Sequence, residues 1–366
     1  MLLRLSAHLS PQRLGQIRSE CEALGYRCSF EDEAQTLLRL HGDGRPEHGS
    51  ILEDLTGVDG ILERGEAREL HERGDRAETV IRVGQAAFGG GNLSIIAGPC
   101  AVEDPTRLEE IAHAVKASGA TMLRGGAWKP RTSPYSFQGV REKGLEWLRE
   151  ARERTGLAVV TEVLDPRDVE LVGESCDMFQ IGARSMANFA LLSEVGQTNK
   201  PVLLKRGLAA TVREFLLAAE FILSAGNTQV VLCERGIRSF DKVTRNPLDV
   251  GAIAHLKRAT HLPVIADPSH AAGRADLVRD LARAGLAAGA DGLIVEVHPA
   301  PEEAHSDADQ AISPEELSRI TRDARILAGL DNRRLVLPDA SGPDDGPSDG
   351  APRNGRHPEV PLPTCP

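Results

Sequence analysis

The 366-residue chain has no apolar run approaching the roughly 18 residues that suggest a membrane span. The apolar part of MLLRLSAHLSPQRLGQ at its start is too short for a secretory signal. Its six cysteines, at 21, 28, 100, 176, 233 and 365, form no CxxC pair, which excludes a disulfide framework and predicts reduced thiols in the cytoplasm. Cys176 and Cys233 read as small buried hydrophobes. The GxGxxG turn of a dinucleotide-binding open sheet is also missing. Positive charge is in deficit, with Lys+Arg 43 against Asp+Glu 54 and a net charge of −11, which argues against nucleic acid as a partner. Any local gathering of cations therefore points to a small anionic ligand.

Such a gathering exists at RGGAWKPRTSPYSFQG, residues 124–139, with Arg124, Lys129 and Arg131 among hydroxyls at Thr132, Ser133, Tyr135 and Ser136. Gly125 and Gly126 let backbone approach a ligand, and Pro130 and Pro134 stiffen the segment. A rigid, cationic, glycine-opened loop suits phosphate or carboxylate, although a solvated charged loop would have the same composition.

Residues 1–70 read as β-α-β-β-α-β, a small ferredoxin-like unit, with Ser10 capping the first helix and Gly25 ending it. This unit contains no concentration of catalytic residue types, so regulation or assembly is the expected role. Residues 71–92 read as a linker with one extended piece, ETVIRVG, and a glycine cluster. From residue 93 to 335, eight short apolar runs alternate with helix-patterned segments: LSIIAG, TMLRGG, AVVTEV, MFQIGA, PVLLKR, QVVLCER, PVIADPSH and GLIVEV. Continuous apolar runs fit strands covered on both faces, and eight of them predict an α/β fold, the (β/α)8 TIM barrel. Residues 336–366, rich in proline, glycine and aspartate, read as a disordered tail, and Cys365 within it carries no argued chemistry.

Barrel chemistry gathers at the C-terminal strand ends. There the chain places Cys100, Arg124, Glu162, Arg184, Lys205-Arg206, Glu234-Arg235, Asp267 with His270, and Glu296, followed by Ser306-Asp307. Cys100, His270, Glu296 and Asp307 mix soft and hard donors in a way that suits Mn, Fe, Co or Zn. On residue types alone, Cys100 as core and His270 as an acid–base group is the competing reading. Arg124, Lys129, Arg131, Arg184, Lys205 and Arg235 would repel one another, which implies ligands with several negative charges.

Together GPC, LRGGAWKPRTSPYSFQG, QIGARSM, LLKRG, ERGIRSFD, DPSHAAGR, VEVHP and SDADQ resemble 3-deoxy-D-arabino-heptulosonate-7-phosphate (DAHP) synthase, the first enzyme of the shikimate pathway. The form resembled is the short microbial type with an N-terminal ferredoxin-like extension, over about residues 80–335. The resemblance implies condensation of phosphoenolpyruvate with erythrose 4-phosphate and release of phosphate. It implies one divalent metal held by Cys100, His270, Glu296 and Asp307. Phosphoenolpyruvate would be held by Arg124, Lys129, Arg184, Lys205 and Arg235, and the aldose phosphate by Pro130, Arg131, Thr132 and Ser133. Lys129 is expected to serve as proton donor or electrostatic partner, and Glu162 to position water. The chain departs from the family pattern in GPCAVE, where GPCSVE is common, and at Trp128, where another aromatic is usual. The resemblance further implies a homotetramer and feedback inhibition by tyrosine or phenylalanine at the N-terminal unit. The sister synthase, which uses arabinose 5-phosphate, typically carries a KANR-type loop, so KPRTS at 129–133 favours the four-carbon aldose. A non-catalytic metabolite sensor is the rival from another class, but no ligand or cation of the pattern is missing.

Overall fold

Leu2–Leu5 (β1), Arg27–Phe30 (β2), Leu37–His41 (β3) and Val58–Glu63 (β4) pair antiparallel in the order β2-β3-β1-β4. With Pro11–Ala23 (α1) and His48–Glu53 (α2) they complete the expected ferredoxin-like order. Ser10 accepts a hydrogen bond from Arg13 N, with Pro11 in the first turn where its missing N–H costs nothing. Leu3, Leu5, Ile17, Leu38, Leu40 and Leu52 form this unit's own core. The computed structural model describes residues 1–7, 9–32, 34–42, 48–63, 69–129, 135, 137–304 and 306–339.

The segment expected as a linker is built into the barrel instead. Leu70 N and His71 N donate to the Glu220 carboxylate at 2.6 and 3.0 Å. Ile81–Val83 (β5) and Ala86–Phe88 (β6) form an antiparallel hairpin. Its Ile81, Val83, Ala86 and Phe88 cluster with residues from inside the barrel. The interior needs an apolar plug at its floor, and a sequence reading of so short a strand pair has no access to that tertiary demand.

The eight barrel strands are Asn92–Gly98 (β7), Met122–Arg124 (β8), Ala158–Glu162 (β9), Met178–Ile181 (β10), Val202–Lys205 (β11), Val230–Glu234 (β12), Val264–Ala266 (β13) and Gly292–Glu296 (β14). All pair in parallel with their neighbours, and β14 closes onto β7 with Glu296 opposite Gly98. Arg334–Leu335 (β15) adds a short parallel pairing at the start of β7. Ile96, Met122, Val160, Met178, Leu203, Val231, Ile265 and Ile294, one from each strand, fill the interior, while alternate positions such as Ile95, Leu123 and Val159 pack outward against the helices.

The helices are Pro105–Ala117 (α3), Glu142–Thr155 (α4), Val169–Ser175 (α5), Phe189–Gly196 (α6), Val212–Ser224 (α7), Val250–Ala259 (α8), Pro268–Ala272 (α9), Val278–Ala287 (α10) and Pro314–Leu330 (α11). Their starts are fixed by side chains, as where Thr211 and Glu214 exchange the two bonds of a capping box. Among the described residues, no helix is long and apolar enough to cross a membrane. Most of the tail, residues 340–366, lies outside the described residues.

Candidate active site

The C-terminal end of β7 passes unusually close to β8. A Cβ on Gly98 (φ +151) would stand 2.2 Å from Arg124 O, so the position admits only glycine. The chain then delivers Cys100, whose Sγ lies 3.0 Å from Asp307 Oδ2 and 3.1 Å from Ser306 Oγ. Donor atoms of Cys100, Glu296 and Asp307 all lie within 4.8 Å of one another. His270 adjoins this trio, with Nε2 3.3 Å from Glu296 Oε1. Its Nδ1 is 2.8 Å from Asp267 Oδ2 but too far off line for a hydrogen bond.

The ring is carried by α9, a single turn that starts where Asp267 Oδ1 accepts from His270 N at 2.9 Å. Burial keeps the imidazole pKa below its ordinary value, although Asp267 and Glu296 pull the other way. Burial, with Glu296 adding to it, pushes the Cys100 thiol up to about 12. Burial would raise the Asp307 pKa, but the thiol's hydrogen bond and the nearby His270 and Arg245 hold it well below the carboxylate range. A thiol, an imidazole and two carboxylates at this spacing are a donor set that fits a borderline divalent metal ion.

Beside the donors lie the cations. Arg124 is 4% exposed, and its Nη2 donates to Glu296 Oε1 at 3.1 Å. Its Nε and Nη1 are buried and have no partner among the described residues, an arrangement that suits an arriving oxyanion. Lys129 Nζ donates to Cys100 O at 2.8 Å. Burial works against its charge, but Cys100, Glu162 and Glu296 outweigh burial and raise its pKa. Glu162 ends β9 and accepts from Gln180 Nε2 at 3.4 Å. A Cβ on Gly182 would stand 1.9 Å from Glu162 Oε1, so glycine there leaves room for this carboxylate.

Lys205 Nζ donates to Asp267 Oδ2 at 2.5 Å. Burial lowers the Arg235 pKa, and its guanidinium donates to His270 O at 3.4 Å. Arg184 is exposed on the turn after β10. Pro130, Arg131, Thr132 and Ser133, expected to line the aldose site, fall outside the described residues.

Two of the six cations expected to face ligand anions also have carboxylate partners within the protein. Arg124 pairs with Glu296, Lys205 with Asp267, and Arg206 with Glu234 and Asp249 at 2.7 and 3.1 Å. Arg206 is thereby committed to structure, while Arg124 keeps two nitrogens without a partner among the described residues and Arg184 an exposed guanidinium. Asp267, Gln180 and Gln310 were visible in the sequence at or near strand ends, but no role followed from type or spacing. Their partners are distant in the chain.

Three roomier clefts, of about 640–750 Å³, all open near the N-terminal ends of the strands, beside residues such as Lys200, Thr228 and Gly119. None contains the converging donors and cations of the opposite mouth, so chemistry and not volume identifies the site.

Comparison with known proteins bears on the family and the fold. The sequence profile of the DAHP synthetase I family matches residues 76–332. Phospho-2-dehydro-3-deoxyheptonate aldolase of Thermotoga maritima is 45% identical over 334 residues, covering 90% of this chain and 98% of the relative. A 2-dehydro-3-deoxyphosphooctonate aldolase of Nitratidesulfovibrio vulgaris is 32% identical over 256 residues, covering 65% of this chain and 93% of the relative. The crystal structure of the Thermotoga maritima enzyme, also described as DAHP synthase, superposes with a TM-score of 0.72 at 43% identity, covering 91% of this chain and 98% of that one. A truncated form of the same synthase gives 0.68 at 47% identity, covering 73% of this chain and 98% of that one.

Proposed function

The chain belongs to the DAHP synthetase I family, and from that premise we propose that its barrel mouth condenses phosphoenolpyruvate with erythrose 4-phosphate and water, giving DAHP and inorganic phosphate. The observation that carries the reading is Arg124, buried next to the Cys100, Glu296 and Asp307 donors with two nitrogens that have no partner among the described residues. Arg124, Lys129, Arg184, Lys205 and Arg235 divide the phosphate and carboxylate of phosphoenolpyruvate among them, and Pro130 to Ser133 take the aldose phosphate. Holding both substrates by their anionic ends brings C3 of the enolpyruvate to the aldehyde carbon and removes much of the entropic cost of their encounter.

Carbon–carbon bond formation turns the aldehyde oxygen into an alkoxide that needs a proton, and leaves C2 electron-poor. Lys129, charged and fixed by Cys100 O, supplies the proton or its electrostatic equivalent. Glu162, on the same cavity wall, orients the water that adds at C2. Loss of the phosphate from C2 then completes the product. Cys100, His270, Glu296 and Asp307 would hold one divalent ion (Mn, Fe, Co or Zn). When bound, such an ion supplies Lewis-acid polarisation of the aldehyde oxygen.

The test is phosphate release with each aldose before and after exhaustive chelation. Turnover is expected with erythrose 4-phosphate, to be lost on chelation and restored by Mn²⁺. Preference for arabinose 5-phosphate would replace this reading with the sister reaction, and full activity after chelation would remove the metal.

The ferredoxin-like unit is the candidate receptor for an aromatic amino acid inhibitor. It has its own core, whereas residues 69–92 are fastened to the barrel. Deleting residues 1–63 is therefore expected to leave turnover near the full-length value and to abolish inhibition by tyrosine or phenylalanine. An unchanged inhibition profile would show that the unit is not the receptor.

A further inference from the structure

Besides Glu296 Oε1, which accepts from Arg124, and Asp307 Oδ2, which faces Cys100, each carboxylate of the donor cluster has its second oxygen engaged by a side chain. Glu296 Oε2 accepts from Gln310 Nε2 at 2.6 Å. Asp307 Oδ1 accepts from both Nη1 and Nη2 of Arg245 at 3.2 Å. Gln310 belongs to the same loop as Asp307 and reaches back 14 residues to Glu296. Arg245 comes instead from the long connection between β12 and α8.

That connection is also fastened to α9, the helix that carries His270. Arg245 N donates to Ala272 O at 3.0 Å and Asn246 N to Ala271 O at 2.9 Å. Asn246 Nδ2 donates to His270 O at 3.2 Å. Two glycines with left-handed backbone make room for this crossing. A Cβ on Gly273 (φ +68) would stand 2.5 Å from Arg245 Cβ, and one on Gly236 (φ +83) 2.7 Å from Asn246 O. Asp307 itself has φ 55, a conformation uncommon outside glycine that persists where its surroundings hold it.

We propose that Arg245 is a positioning residue for the metal site. Its guanidinium occupies Asp307 Oδ1, holds that residue in its left-handed turn and leaves Oδ2 facing the Cys100 thiol. Its backbone couples the same carboxylate to the helix of His270, so one residue sets the separation of two ligands that arrive on different loops. The inference rests on the reading of Cys100, His270, Glu296 and Asp307 as metal ligands. The rival role for a half-exposed arginine here is to grip a substrate phosphate. The geometry favours positioning, because both terminal nitrogens converge on one carboxylate oxygen.

The test is calorimetric titration of Mn²⁺ into the metal-free full-length protein and its Arg245→Ala and Arg245→Lys variants, with KM for both substrates measured at saturating Mn²⁺. Partners that orient a metal ligand typically contribute 10–100-fold in affinity, so Arg245→Ala is expected to weaken Mn²⁺ binding by about that factor with substrate KM unchanged. Arg245→Lys keeps the charge and one donor, is expected to fall between, and serves if the alanine variant folds poorly. Unchanged Mn²⁺ affinity in both variants overturns the proposal, and a raised substrate KM alongside it assigns Arg245 to a phosphate. A wild-type protein that binds no Mn²⁺ overturns the metal reading and the positioning role together. Wild-type binding with unaffected variants removes the positioning role alone.

Discussion

Lys129→Met is expected to lower kcat by about 10²–10⁴-fold, the range for losing a positioned proton donor, and also to raise the KM for phosphoenolpyruvate, whose anionic groups this cation helps to hold. Methionine keeps most of the lysine stem and its packing, so the change removes chiefly the charge and the bond to Cys100 O. That charge is secure in the native protein because Cys100, Glu162 and Glu296 raise the ammonium pKa against the opposing effect of burial. Arginine is not expected to rescue. A Cβ at Gly126 would already stand 3.0 Å from Lys129 Cδ, and a planar fork needs more room than this slot offers. Steady-state phosphate release, with thermal unfolding as a control for folding, makes the measurement. Near-normal turnover would take Lys129 out of the chemistry.

Arg124→Ala acts on binding and on stability together. Each hydrogen bond to a charged group contributes about 1.5–3 kcal/mol, so losing the two free nitrogens is expected to lower kcat/KM for phosphoenolpyruvate by about 10²–10⁴-fold. The same change strips Glu296, which is fully buried, of its cationic partner. Removing one member of a buried pair costs about 3–5 kcal/mol, and this should appear as a lower denaturation midpoint. Arg124→Lys separates the two effects. An ammonium can still face Glu296, so stability should recover more than substrate affinity, which depends on the planar fork. If Arg124→Ala left both quantities near wild type, its place at the centre of the anion site would be lost.

Much of the barrel was legible because its strands are sheathed on both faces. Stretches such as VVLCE and GLIVE are buried at every position, and no amphipathic alternation disguises them. The ferredoxin-like order was legible for a different reason: Ser10 with Pro11, and later Gly25, punctuate its first helix by local chemistry alone. The β5–β6 hairpin was not. Three residues per strand do not make a periodic signal, and what stabilises Phe88 is the barrel floor. At the mouth, Cys100, Arg124, Lys129 and Glu296 were found because parallel strands bring their C-terminal ends to one place. The counter-charges were missed because pairing depends on which side chains meet in space. Arg206, beside Lys205 in the chain, turns to Glu234 and Asp249 while Lys205 turns to Asp267. Arg245 was hidden in the same way, 62 residues from the carboxylate that it grips.

The pairing of Glu296 with Gly98 lies on the seam where the last barrel strand meets the first. Cys100 follows the first strand, while His270, Glu296 and Asp307 all come from the final third of the chain. No partly assembled barrel can therefore contain the donor cluster, since its two halves meet only when the ring shuts. These are contacts of long sequence separation, which chains make late and at high entropic cost. An ion bound across them would act as a clasp on the closed ring. It would stabilise that ring by its own binding free energy and make completeness of the fold a condition for acquiring the metal.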